Sequence, residues 1–348
     1  MPAPQQRIPV AVLGATGMVG QRLIQLLAEH PWFKVGALCA SERSVGRSYG
    51  EACTWRLPGD IPAGIAEMPV LPCEPQAVPQ LKVALSAMPS RPAKAVEAEF
   101  RSAGFAVVSN ASAYRDDPIV PLVIPEVNPE HLGLIQRQPG AGYIVTNPNC
   151  CAIPLALALA PLHEAFGVKA VCASTWQAVS GAGYPGESAW DMVANVHPHP
   201  GNEEEKLGIE PQKILGSMDA PAAFPVSARA VRVPTADGHL ISAQVSFERP
   251  CTPEQALEAW RSYDHGLELP SVPSPLYHLL PQRDRPQPRM DIQRGQGMAV
   301  SIGRVEVCPV MGLKFYALAH NTLRGAAGAA LGNLELLQDR GLLPVSGS

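Results

Sequence analysis

The sequence predicts an α/β protein in two parts. A doubly wound (Rossmann-like) parallel sheet spans residues 1–149, an α+β domain spans 150–319, and residues 320–348 form a helix that returns to the first part. Three observations carry this reading. Short apolar runs alternate with amphipathic stretches as far as Thr146, the pattern of a parallel sheet covered on both faces. After Cys150 the alternation gives way to fewer, longer strand-like runs, which suit a mixed or antiparallel sheet. The stretch 321–338 contains G-A-A-G-A-A-L-G, whose small side chains allow close packing against another layer. With 348 residues, 46% hydrophobic and 17% charged, the chain is long enough for two cores and is not a disordered polymer.

The elements follow in order. Residues 7–14 form a buried strand ending at a glycine, and 18–30 carry Val19, Leu23, Leu26 and Leu27 at helical spacing. Strands are expected at 34–40, 82–86, 106–109 and 143–146, with a helix at 91–103. In the second part a strongly apolar helix covers 152–166, and 168–177, 240–248, 298–305 and 312–319 are strand-like. Residues 252–263 read as a helix opened by Thr252, with Glu254 in its first turn. The Pro-rich stretch 269–288 reads as a loop, one of many turns implied by 37 prolines.

Composition excludes several function classes. A net charge of −4 gives no basic surface for nucleic acid or membrane. No apolar run reaches the ~20 residues needed to span a bilayer, and residues 1–9 lack the apolar core of a leader. The eight cysteines, at 39, 53, 73, 150, 151, 172, 251 and 308, form no C-x-x-C pair. A cytoplasmic protein with mostly buried thiols is expected. His197 and His199 alternate with prolines and lack a third ligand, so no metal site is expected.

Four motifs carry chemistry. Gly14-Ala15-Thr16-Gly17-Met18-Val19-Gly20 joins the first strand to the first helix, where a tight glycine turn and free helix amides suit a pyrophosphate. After the second strand, Arg43 with the hydroxyls of Ser41 and Ser44 favours a 2′-phosphate, hence NADP over NAD, although Glu42 sits among them. Asn147-Pro148-Asn149-Cys150-Cys151 places thiols at a helix N-terminus, where the dipole favours a thiolate. Cys150 lies at the turn, whereas Cys151 points ~100° further round and packs. Asp237-Gly238 is a turn signal that delivers His239 to a strand start, where its ring can serve as acid or base. Gln177 precedes a second glycine loop, Ser180-Gly181-Ala182-Gly183. Glu203-Glu204-Glu205-Lys206 reads at first sight as a solvated charge run, and Arg115 as a surface charge.

Together N-P-N-C at 147–150, Q-A-V-S-G-A-G at 177–183, R-V-P-x-x-D-G-H at 232–239, G-M-A-V-S-I-G-R at 297–304 and N-T-L-R-G-A-A-G-A-A at 321–330 resemble the aspartate-semialdehyde dehydrogenase family, in its archaeal and fungal-type branch. The resemblance implies an NADP-binding domain over 1–149 and a catalytic and oligomerisation domain over 150–319. It also implies NADPH-dependent reduction of L-aspartyl 4-phosphate to the semialdehyde, in the pathway to lysine, threonine and methionine. It makes Cys150 the nucleophile, His239 the acid/base and Gln177 an orienter of the acyl group. Arg232 is then expected on the substrate carboxylate, Glu203 on its amine, and Lys206 with Arg115 on the phosphate. Gly181 and Gly183, with Ser180, are expected to line the nicotinamide pocket, and Asn321 to contact the carboxamide. A homodimer or homotetramer is implied. Cys151 departs from the family pattern. An acyl-CoA reductase, an N-acetyl-glutamyl-phosphate reductase and a non-catalytic NADP-binding regulator are the competing readings.

Overall fold

The computed structural model describes residues 7–344; residues 1–6, part of the stretch expected to lack a leader, and 345–348 lie outside the described residues. Strands β1 (Ile8–Leu13), β2 (Phe33–Ala40), β3 (Val70–Pro72), β4 (Val83–Ser86), β5 (Ala106–Ser109) and β6 (Tyr143–Thr146) form one sheet in the order β3-β2-β1-β4-β5-β6. All its pairings are parallel. Helices α1 (Met18–Ala28) and α2 (Ser90–Ser102) belong to its crossovers. The order reverses between β1 and β4, which opens a crevice at their carboxyl ends, directly beside the glycine turn.

The second sheet runs β10 (Tyr277–Leu280), β11 (Val300–Cys308), β12 (Gly312–Ala319), β9 (His239–Phe247), β7 (Val168–Gln177), β8 (Val226–Arg232). It is mixed: β10 with β11 and β7 with β8 are parallel, and the three pairs between them are antiparallel. Helix α3 (Ala152–Phe166) lies on one face of this sheet, with α4 (Glu203–Leu215) and α5 (Pro253–Arg261) beside it. Residues 152–162 of α3 are all buried, so the helix needs no polar face. Pro161 cannot donate to the Leu157 carbonyl four residues back. The Tyr277 hydroxyl donates to that oxygen instead, at 2.7 Å.

Residues 321–338 depart from a simple helix. A π-helical turn at Leu323–Ala327 precedes α6 (Gly328–Asp339). Leu331, Leu334 and Leu337 of α6 share a core with Val10 and Val12 of β1. Three strands go beyond the sequence reading. β3 has only three residues, β8 lies ahead of the R-V-P motif, and β10 occupies part of the expected 269–288 loop. Helix α4 replaces the expected charge run. No helix among the described residues is long and apolar enough to cross a membrane.

Candidate active site

Helix α3 begins where β6 ends, so the N-P-N-C turn stands at the carboxyl edge of the first sheet and at the mouth of the second domain. The Asn149 side chain caps that mouth, its Oδ1 accepting the Cys151 amide at 2.9 Å and the Ala152 amide at 3.3 Å. Cys150 is half-buried and Cys151 is buried. The Cys151 thiol donates toward Cys150 and, with His239 alongside, holds the Cys150 thiol well below its ordinary range against the opposing pull of burial and Glu203. Burial, and the proton Cys151 shares with Cys150, push Cys151 well above its ordinary range.

Strand alternation delivers the other groups. On β7 and β9, Gln177 and His239 point to the face that packs on α3, so both meet the helix mouth. Cys150, Cys151 and His239 bring their Sγ and ring-nitrogen atoms within 4.8 Å of one another. The Ala178 amide donates to His239 Nδ1 at 3.1 Å, so the neutral ring carries its proton on Nε2, a buried atom with no protein partner. A metal would need the lone pair at Nε2 and an acceptor for the other ring N–H. An amide donor stands there instead, so the trio suits a nucleophile with a hydrogen-bond donor rather than a metal.

Gln177 and Arg232 face each other in the β7–β8 register. Arg232 Nη1 donates to Gln177 Oε1 and to the Ala178 carbonyl, each at 3.1 Å, while its buried Nε has no hydrogen-bond partner. A Cβ on Gly181 would fall 2.8 Å from Arg232 Nη1 and 3.0 Å from His239 Cε1, so the second glycine loop fits closely over both. Asn321 ties that loop to the His239 turn: its Nδ2 donates to Ser180 Oγ and its Oδ1 accepts the Gly238 amide, each at 2.8 Å.

Helix α4 supplies the acids and one cation. Glu203 is buried and accepts from Asn149 Nδ2 at 2.8 Å and Lys206 Nζ at 2.7 Å. Burial pushes its carboxyl up, but Lys206 and Asn149 outweigh that and hold it below the usual range. Glu204 turns outward to Arg229 and the Ala230 amide, and Glu205 is exposed, so Glu203 is the acid of the run that faces Cys150. Arg115, far from being a surface charge, is buried and bonded to Glu210.

At the other end of the cleft, Gly14 has φ 79°, and a Cβ there would lie 2.8 Å from the Ala87 carbonyl oxygen. No side chain caps the N-terminus of α1. A cleft of about 450 Å³ is lined by Met18 and Arg22 on one side and by Ser180, Gly183, Asp237 and Thr322 on the other. The α1 mouth and the second glycine loop therefore share one space. Ser41, Arg43 and Ser44 sit in the turn that follows β2, and β2 itself binds the glycine turn through the Gly14 and Ala15 amides on the Cys39 carbonyl.

Two family models match in succession: the semialdehyde dehydrogenase NAD-binding domain over residues 9–135 and the semialdehyde dehydrogenase dimerisation domain over 159–324. The aspartate-semialdehyde dehydrogenase of Archaeoglobus fulgidus is 47% identical over 95% of this chain and 98% of its own. That of Cryptococcus neoformans is 42% identical over 98% of this chain and all of its own. The chain belongs to the aspartate-semialdehyde dehydrogenase family. Among solved structures, the aspartate semialdehyde dehydrogenase with NADP from Candida albicans superposes with a TM-score of 0.90 at 36% identity, covering 97% of this chain and 100% of that one.

For an aspartate-semialdehyde dehydrogenase, the expected substrate residues form one connected cluster: Arg115, Glu203, Lys206 and Arg232 all bond to groups that also touch Asn149, Gln177 or Glu210. The sequence reading missed Asn149 as a clamp and Glu210 altogether. A signal for Glu210 was present. Glu203, Lys206, Glu210 and Lys213 recur at spacings of 3, 4 and 3, which is one stripe of a helix.

Proposed function

We propose that this protein catalyses the NADP-dependent interconversion of L-aspartyl 4-phosphate and L-aspartate 4-semialdehyde plus phosphate, through a thioester on Cys150. The observation that carries this reading is a thiol held below its ordinary range at a helix mouth, within 4.8 Å of His239 and beside the glycine loop of the cofactor cleft.

The cleft fits NADP. Gly14 lets the turn pack directly on the Ala87 backbone at the end of β4, where a Cβ would clash, and the turn Thr16, Gly17, Met18, Val19 and Gly20 opens α1 with no side-chain cap, a helix mouth suited to a pyrophosphate. Ser41, Arg43 and Ser44 would hold a 2′-phosphate; Ser180, Gly181, Gly183 and Asn321 would surround the nicotinamide. When bound, the cofactor supplies or accepts the hydride at the carbon joined to Cys150.

The residues of the chain do the rest. Arg232 presents to the substrate carboxylate an Nε edge that has no hydrogen bond of its own and only the Glu187 carboxylate, at 3.7 Å, near it. Anionic Glu203 meets the ammonium. The Cys150 thiolate adds to the acyl carbon, and the phosphate departs with the C–O bonding pair, its charge met by Arg115 and Lys206. His239 Nε2–H donates to the substrate oxygen as negative charge gathers on it. Once hydride has arrived, that oxygen reforms the carbonyl and expels the thiolate, which the Cys151 S–H receives. In this reading His239 fills the acid half of the acid/base role expected of it. The matched dimerisation domain accords with a homo-oligomer, which we take to be a dimer or tetramer. A cytoplasmic setting is part of the reading, on the ground that all eight cysteines are free thiols.

The deciding assay follows oxidation of aspartate semialdehyde with NADP and phosphate, repeated with NAD, with coenzyme A in place of phosphate, and with Cys150→Ala. Phosphate-dependent turnover with NADP, at least ~10⁴-fold reduced in Cys150→Ala, is expected. Turnover that ignores phosphate, or survives in that variant, overturns the reading.

A further inference from the structure

Resting on that acyl-phosphate reading, we propose that Glu210 is the positioning residue of the site, a single buried carboxylate that sets both the cation for the leaving phosphate and the turn that carries the nucleophile. Its two oxygens divide the work. Oε1 accepts from Arg115 Nη1 at 3.1 Å, and Oε2 accepts the backbone N–H of Asn149 at 2.5 Å. Glu210 and Arg115 are 3% and 8% exposed, so neither geometry is loosened by water.

The carboxylate stands seven residues after Glu203, on the same helix face. Glu203 holds the Asn149 side chain and Glu210 holds its backbone, so the residue preceding Cys150 is gripped from both sides by α4. Arg115 is fixed similarly. Its Nη2 donates to the Asn110 carbonyl at 2.8 Å, its Nη1 is held by Glu210, and its buried Nε has no partner. The fork is thereby oriented with donor capacity to spare for an anion. Burial pushes the Glu210 carboxyl up, with Arg115 and the Asn149 amide pulling against it. A buried acid at such a cost suits a site where two donors must be held at a fixed separation.

Glu210→Gln tests this. The amide has one oxygen, so it can serve Arg115 or Asn149 but meets the other with a donor. Two readouts are taken on protein shown to be folded by its thermal transition: the KM for phosphate in semialdehyde oxidation, and the pH profile of Cys150 alkylation. We expect the phosphate KM to rise at least ~10-fold while the KM for NADP stays within ~twofold, and the alkylation midpoint to move to higher pH. The direction is informative. A carboxylate acting only through its charge would, when neutralised, ease thiolate formation and move the midpoint down. An unchanged phosphate KM, or a midpoint that stays or falls, overturns the proposal. If Glu210→Gln does not fold, Glu210→Asp keeps the charge but is one methylene short of spanning both donors. The same shifts are expected there, and wild-type values overturn the proposal equally. Alkylation needs no substrate, so this arm stands apart from the function reading. Absence of phosphate-dependent turnover in the wild-type enzyme would sink that reading and leave the alkylation result to be judged alone.

Discussion

Two thiols stand side by side at the mouth of α3 and titrate in opposite directions, Cys150 downward and Cys151 upward. The pair therefore shares one proton, and Cys151 keeps it. Because the Cys151 S–H is the largest influence lowering Cys150, removing it is expected to raise the pH at which Cys150 becomes nucleophilic. The sign follows from the thiolate being the reactive form: a lowered thiol pKa means reactivity persists as pH falls, and Cys151→Ala forfeits that window. We expect Cys151→Ala to move the Cys150 alkylation midpoint to higher pH by about one unit, a tenfold slowing at pH values below both midpoints. Cys151→Ser keeps a donor and should recover most of the rate. A Cys151→Ala profile that overlays the wild type removes Cys151 from the mechanism. The place of Cys150 at a helix mouth that lowers its thiol was legible from N-P-N-C, since a thiol after a polar turn at a helix start has an electrostatic reason to be there. The contribution of Cys151 was not, because a helix wheel turns it away by ~100° and nothing in the sequence shows that its hydrogen still reaches back.

At the scale of elements, α4 was the one most at variance with its sequence. Three consecutive glutamates look like a solvated patch, yet acids in the first turn favour a helix N-terminus. The helix then continues to Leu215 as a clamp on the first domain. Its last anchor is Lys213, whose Nζ donates to the carbonyls of Arg115, Asp117 and Val120 at 2.7, 2.7 and 3.0 Å. These three bonds fold the 115–120 loop under the ammonium. Lys213→Met keeps the stem's packing and removes the donors. Hydrogen bonds to a charged group contribute roughly 1.5–3 kcal/mol each and are not additive, so a loss of about 2–4 kcal/mol in unfolding free energy is expected. Urea unfolding measures it, and a change under 0.5 kcal/mol would refute the clamp. Strands β8 and β10 escaped the reading for a different reason. β8 is an edge strand with alternating exposure, and β10 sits among prolines that argue against a strand. By contrast, β1, α1 and α3 were readable at once, because each is buried enough for its apolar pattern to be unambiguous.

At the scale of the molecule, the second sheet has one face spent on α3 and another where Trp176, Leu240 and Tyr316 line a cavity of about 340 Å³ with residues 283–288. Along β7 the alternation places Gln177 inward at the candidate site and Trp176 outward, so a single peptide bond separates the site from the sheet's other face. Trp176 lies 6.2 Å ring to ring from Tyr316 of β12, Leu240 pairs opposite it on β9, and Cys172 is exposed on the same side. This face falls within the matched dimerisation domain, residues 159–324. A dimer formed through this face would be self-complementary, and a charge placed among its aromatic side chains would have to be buried, unpaired, against the partner copy. Trp176→Glu is therefore expected to move the sedimentation coefficient toward that of the monomer at micromolar concentration. Cys172 provides an independent reading. It should label slowly with a maleimide in the concentrated wild-type protein, and at least ~10-fold faster on dilution or in Trp176→Glu. Activity per chain should fall as labelling accelerates, because Gln177 loses the support of the strand's other side. If Cys172 labels at one rate at every concentration and the variant sediments with the wild type, assembly runs through another surface, and the coupling of Trp176 to Gln177 has no assembly to act through.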